Sequence, residues 1–170
     1  EVVYYSNGTN WLKISSTPAV LSSISGSIYD GAASNLTLSG TGFLAANLIV
    51  NFVQSSDSIN TNVTVTPTSD TAATVAVPAA VYNNVTAGNA VTIKVTNSDG
   101  AVSGTVNVTA VAAPTGGSIS NSGNFRIHTF TTSANFVVSS TLSNVEYLII
   151  AGGGSGGSYG AGGGAGGYRS

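Results

Sequence analysis

The sequence predicts an all-β protein, and three observations carry that prediction. Apolar and polar residues alternate over short runs, turn-forming residues punctuate those runs at short intervals, and β-branched residues are abundant. The same abundance separates the chain from disordered sequences, which are poor in such residues. Charged residues make up only 6% of the 170 positions and 42% are hydrophobic, whereas an ordinary globular domain carries about 25% charge. A neutral polar surface of this kind suits secreted, cell-surface or virion proteins. The length allows one large domain or two small ones with part of a third.

The first element, residues 1–17, reads as a linking hairpin. VVYY and WLKI are two short strands joined through SNGTN, where Asn7-Gly8 supplies the positive φ angles of a tight turn. A lone hairpin is marginal in water, so it is expected to cap or pack on another unit.

Residues 18–113 alternate as half-buried antiparallel strands do. Leu36 and Leu38; Leu48, Val50 and Phe52; Val63 and Val65; Val75 and Val77; Val91, Ile93 and Val95; Val106 and Val108 each take one face of a strand. Turns are expected at Asp30-Gly31, Gly40-Thr41-Gly42, Ser55 to Asp57, Ser69-Asp70, Asn83-Asn84 and Ser98-Asp99-Gly100. About seven strands at this spacing predict a β-sandwich. Burying each such side chain is worth about 1.5–3 kcal/mol, enough in sum to expect an independent domain.

Ala112 to Gly117 reads as a linker by composition. Residues 114–170 then supply strand-like FRIHTFTTSANFVV (125–138) and VEYLIIAG (145–152), followed by a stretch that holds 11 of the 22 glycines between Gly152 and Gly167. Glycine loses the most conformational freedom on ordering, so such a run stays ordered only if its backbone finds partners. A polyproline II-type helix makes no internal hydrogen bonds. One run is therefore expected not to satisfy itself, its partners coming from later sequence or other chains. The competing reading is a flexible Gly/Ser linker; Tyr159, Tyr168 and Arg169 speak against a pure spacer.

Several functions are excluded or disfavoured. A net charge of −2 with no basic stripe gives no electrostatic basis for nucleic-acid binding. Without cysteine there is neither a disulfide framework nor a thiolate metal site. No apolar run is long enough to insert in a membrane. Glu1 opens the chain without a basic and apolar leader, which reads as a mature chain or a piece of something longer. GGGSGGSYGAGGG lacks the Lys-Ser/Thr of a phosphate loop, and the single histidine, His128, has no predictable partner for nucleophilic catalysis or metal binding. A structural role is expected for it.

Asp57, Asp70 and Asp99 sit in turn clusters, where Asx hydrogen bonding competes with calcium ligation as an explanation. The sequons at Asn7, Asn35, Asn62, Asn84 and Asn107 are attributed to composition. Tyr4, Tyr5, Trp11, Tyr29 and Tyr82 suit sugar faces as well as packing.

Residues 18–111, through PAVLSSISG, LTLSGTGF, SDTAATVAVP and AVTIKVTNSDGAVSGTVNVT, resemble the IPT/TIG group of immunoglobulin-like domains. GGSISNSGNFRIHTFTTSANFVV with VEYLIIAGGGSGGSYGAGGGAGGYRS resembles the glycine-rich domain of tailed-phage fibre and adhesin proteins, and VVYYSNGTNWLKIS is similar to hairpins that link modules in such fibres. In that family further glycine runs follow the GAGGYR segment, so the resemblance implies that 114–170 is the start of a domain cut short at Ser170. It also implies a polyglycine II-type lattice when complete and assembly with other copies of the chain, as a trimer, and with other virion proteins.

The function expected on this basis is structural and adhesive: display of the glycine-rich region for attachment to a host surface glycan or protein. No enzymatic activity and no cofactor are expected, and Tyr4, Trp11, Tyr159 and Tyr168 are the candidate assembly or packing positions. The alternatives are a bacterial cell-surface adhesin or extracellular filament subunit, and a carbohydrate-binding module.

Overall fold

A computed structural model gives the fold. It describes all residues except 1–3, 7, 10, 14–17, 45, 123–124, 143–144 and 160–161, with backbone alone for Tyr4, Tyr5 and Trp11 to Lys13. The all-β expectation holds: strands are the dominant regular element among the described residues, accompanied by one short helical turn. The chain divides into two compact units, Glu1–Ser140 and Thr141–Ser170.

In the first unit, β1 (Tyr4–Ser6) pairs antiparallel with β2 (Trp11–Lys13), Tyr5 opposite Leu12; Gly8 takes the expected positive φ of 89, and Asn7 of the predicted turn lies outside the described residues. There follow β3 (Val20–Ser25), β4 (Tyr29–Asp30), β5 (Asn35–Thr41), β6 (Leu48–Gln54), β7 (Ile59–Val65), β8 (Ala72–Ala76), α1 (Ala79–Tyr82), β9 (Ala90–Thr96), β10 (Val106–Thr109) and β11 (Val111–Ala112). Two sheets emerge, one ordered β10-β9-β6-β7 and the other β3-β5-β8, with antiparallel neighbours throughout. A third pairing, parallel, joins β11 to β4.

Period-2 side-chain alternation makes one face of each sheet apolar. Leu48, Val50 and Phe52 of β6 and Val91, Ile93 and Val95 of β9 are fully buried, as are Leu36 and Leu38 of β5 and Val75 of β8. All belong to one apolar cluster, so the two sheets share a core. Val63, Val65, Val106 and Val108, on the outermost strands of the larger sheet, pack against that core only in part.

Local departures from the alternation have physical causes. Leu21 and Ile24 are three residues apart yet both turn toward the core, because the β3–β5 register shifts between Leu21 and Ser23. Gly40, expected in a turn, is instead a strand residue opposite Leu21. A Cβ at Gly40 would collide with the Val20 carbonyl oxygen and come within 2.8 Å of the Phe43 ring. The turn begins later, at Gly42 with φ 72.

Pro78 precedes α1 and accepts hydrogen bonds from the Val81 and Tyr82 amides. The resulting turn buries Val81 at one end of the core. Asn97 is only 2% exposed: its Nδ2 donates to the Gly42 carbonyl at 2.7 Å while its Oδ1 accepts from the Leu44 amide at 3.2 Å. Both halves of the amide are satisfied, and the β5–β6 loop is pinned to the end of β9.

The Ala112–Gly117 stretch, expected as a linker, is ordered. Ala112 ends β11 and accepts from the Ser139 hydroxyl, and Thr115 and Val137 exchange backbone hydrogen bonds. Then β12 (Ser118–Ser122) and β13 (Phe125–Thr129) form a hairpin, Ser120 opposite Ile127. In the second unit β14 (Ile149–Ile150) pairs antiparallel with β15 (Tyr168–Arg169).

Phe52→Ala removes the largest fully buried side chain and is expected to cost about 3–5 kcal/mol in urea-unfolding free energy. Val20→Ala, at a position 47% exposed, is expected to stay within about 0.5 kcal/mol. Equal losses for the two would contradict the assigned core.

Candidate functional site

The surface that stands out is apolar and lies beyond β11. Opposed residues share a face, so Phe125 and Ile127 of β13 lie on one side of the hairpin with Ser118, Ser120 and Ser122 of β12, while Ile119, Asn121, Arg126 and His128 occupy the other. Phe125 is 57% exposed, and Ile119, Ile127, Phe130, Phe136 and Val137 are exposed as well. In the second unit the exposed apolar side chains are Val145 and Tyr147 to Ile150, the last at 73%.

His128 organises the loop that follows the hairpin. Its Nδ1 lies 2.8 Å from the Gly116 carbonyl oxygen. A carbonyl only accepts, so Nδ1 carries the proton and donates. The ring stands edge-on to Phe136 at 4.9 Å, and Phe136 stands edge-on to Phe130 at 6.3 Å. His128 thus clasps the chain before β12 to the loop after β13.

The glycine run supplies some of its own backbone partners, in addition to those expected from later sequence or other chains. The Ala151 amide donates to the Gly167 carbonyl at 2.7 Å and the Gly154 amide to the Gly164 carbonyl at 3.0 Å, continuing inward from the β14–β15 pair. A Cβ at Gly163 or Gly166 would strike the carbonyl oxygens of Gly154 and Ala151 respectively. Close backbone approach, which only glycine permits, explains those positions.

Of the four candidate assembly positions, Tyr159 and Tyr168 are exposed, Tyr168 at 75%, and the second lies in β15. The backbones of Tyr4 and Trp11 lie in the β1–β2 pair, but their side chains fall outside the described residues. Among the other aromatics, Tyr82 packs on the core. The strand expected across 125–138 is shorter, ending at Thr129, and only Ile149–Ile150 of 145–152 is strand.

The turn aspartates serve different local purposes. Asp57 accepts at Oδ2 from the Thr86 amide at 2.8 Å and from Asn89 Nδ2 at 3.2 Å, and at Oδ1 from the Thr86 hydroxyl at 3.2 Å. Its own amide donates to Gln54 Oε1. Asp99 Oδ1 accepts from the Ala101 amide at 3.0 Å, an Asx turn. Asp70 makes no side-chain hydrogen bond among the described residues. No three of His, Asp and Glu gather as a metal site among the described residues.

Amide networks that the sequence reading overlooked face outward from the larger sheet. Asn51 Nδ2 donates to both Asn60 Oδ1 and Asn62 Oδ1, and Thr92 donates to Asn107 Oδ1. Opposition in register was the only signal that could have revealed them. No family model, curated protein or solved structure matches the chain.

The Thr86 amide, then Asn89 and the Thr86 hydroxyl, hold the Asp57 carboxyl below its ordinary 3.8, with desolvation opposing them. A folded value below the unfolded one contributes stability above pH 3.8 that is lost as the pH falls through the folded value. Asp57→Asn is therefore expected to lower Tm at neutral pH and to flatten the decline of Tm below about pH 4. An identical acid decline in the two proteins, followed by calorimetry, would refute this role.

Proposed function

We propose that the chain is a structural and adhesive segment of a tailed-phage fibre. On this reading residues 18–113 are an immunoglobulin-like sandwich of the IPT/TIG kind that acts as a spacer. Residues 114–170 begin a glycine-rich domain displayed for attachment to the host surface. The observation that carries the reading is the contrast between a well-filled core in the first region and the solvent-facing apolar side chains of the second, Phe125, Ile127, Leu148 and Ile150 among them. Exposed apolar surface of that kind is what assembly buries.

Other copies of the chain, as a trimer, and neighbouring virion proteins supply the cover, with Tyr4, Trp11, Tyr159 and Tyr168 as assembly positions. The glycine run, paired internally at Ala151–Gly167 and Gly154–Gly164, keeps its remaining amides for adjacent runs in a polyglycine II-type lattice. Several weak contacts made together give attachment its strength. No catalytic step belongs to this reading.

Antibodies raised against residues 18–113 are expected to label the fibres of purified phage particles and to block adsorption. Recovery of the intact gene product only from a bacterial cell-wall fraction, never from particles, would replace this reading with that of a cell-surface adhesin.

A further inference from the structure

A cleft of about 260 Å³ lies within the first unit, where the beginning of β5 and the end of β8 meet the end of β12 and the start of β13. Ser34, Asn35, Val77, Asn121, Phe125 and Arg126 line it. The Val77 amide donates to the Ser34 carbonyl at 2.9 Å and the Ser34 hydroxyl donates to the Ser27 carbonyl at 2.6 Å, so the β5–β8 wall is fixed by its own hydrogen bonds.

Two buried nitrogens among the described residues lack a hydrogen-bond partner, His128 Nε2 and Arg126 Nε, and only the second borders this cleft. The Arg126 Nε is sealed from solvent, and its guanidinium forms neither a hydrogen bond nor an ion pair among the described residues. A buried N–H without a partner is costly, while the terminal guanidinium nitrogens, unpaired among the described residues, remain open to a partner from solvent. Elsewhere the chain satisfies its enclosed amides, as at Asn51 and Asn97. A planar fork of donors matches a carboxylate in two parallel hydrogen bonds. The amides of Asn35 and Asn121, which both donate and accept and so suit hydroxyls, line the same cleft, and so does the exposed Phe125 at the first position of β13, although its side chain leaves the strand on the face opposite Arg126; its apolar ring suits the C–H face of a sugar.

We propose that this cleft binds the carboxylate-bearing ring of an acidic saccharide, with Arg126 on the carboxylate, Asn35 and Asn121 on hydroxyls, and Phe125 against the ring. The cleft lies just below the roughly 300 Å³ at which small-molecule sites begin, which limits it to a single ring rather than a stretch of polymer. The proposal rests on the attachment reading, for which it names the ligand class. Single-site affinity is weak, and copies acting together multiply it.

The test is a titration of the full chain, labelled with nitrogen-15, with D-glucuronate, D-glucose as the neutral match, and inorganic phosphate, followed by two-dimensional NMR. Glucuronate is expected to shift the Arg126 Nε–H signal and the Asn35 and Asn121 amides saturably in the millimolar range, while glucose leaves the Nε–H signal in place. Arg126→Gln abolishes the saturable response, and Arg126→Lys, keeping charge without the fork, weakens it about tenfold or more.

A glucose response equal to that of glucuronate, or phosphate binding as tightly, overturns the proposal. So does movement of the same signals with protein concentration alone, which would put a second copy's carboxylate in the cleft. Should Arg126→Gln fail to fold, the wild-type Nε–H titration decides by itself. Absence of glucuronate binding alongside antibody-labelled fibres would remove the ligand assignment and leave the fibre reading standing. Binding in a chain never found in particles would do the reverse.

Discussion

Contact between the buried faces of two sheets, with Phe52, Val50 and Ile93 on one side and Leu36, Leu38 and Val75 on the other, is the interaction on which the rest of the first unit depends. No cysteine cross-links this chain and few charges are present to form ion pairs. Apolar burial, at about 1.5–3 kcal/mol for each large side chain, must therefore offset the ordering entropy of the strands. Because β6 and β9 are interior strands of their sheet, their inward residues are fully covered. Their outward residues are mixed, Asn51, Thr92 and Thr96 standing with Ile49, Val53 and Lys94. The ladder of Asn51 with Asn60 and Asn62, and that of Thr92 with Asn107, show how a surface nearly without charge is still satisfied in hydrogen bonds.

That same one-sided burial decided what could be read in the sequence. Leu36 and Leu38, Leu48 to Phe52, and Val91 to Val95 were legible because a sheet with one covered face writes its register into a period of two. Leu21 and Ile24 broke the period, since the extra residue between Leu21 and Ser23 in β3 itself is neither glycine nor proline and so leaves no mark. Gly40 looked like a turn residue because close packing against Val20 and Phe43 and a turn both demand the same amino acid. The helical turn after Pro78 spans only Ala79 to Tyr82, too short to establish its own periodicity. Asn97 was invisible for another reason: its partners, Gly42 and Leu44, lie more than fifty positions away.

The region beyond β11 follows different rules. Its candidate site was legible in composition and resemblance, through the glycine run and the aromatic residues near it, but not in geometry. Ser118 to Ser122 has no apolar alternation to announce a strand; it pairs because Phe125 to Thr129 offers it an edge. The doubling back of the glycine segment depends on backbone contacts between positions nine to sixteen apart, and side-chain patterns carry no information where there are no side chains. Arg126 could be seen as a cation in the sequence, yet its lack of a partner is a property of the folded hairpin beside β5 and β8. On the proposed reading, the filled core of one part and the uncovered apolar strands of the other divide stability between internal packing and contacts made in assembly.

Native-state hydrogen exchange on the isolated chain measures that division most directly. The account predicts that the amides of Val50, Phe52 and Ile93 exchange only through global unfolding. Those of β12 and β13 and of the glycine segment should open at far lower free energy and exchange orders of magnitude faster. Protection in the hairpin equal to that of β6 in the isolated monomer would contradict the account, because the exposed strands would then be complete without a partner.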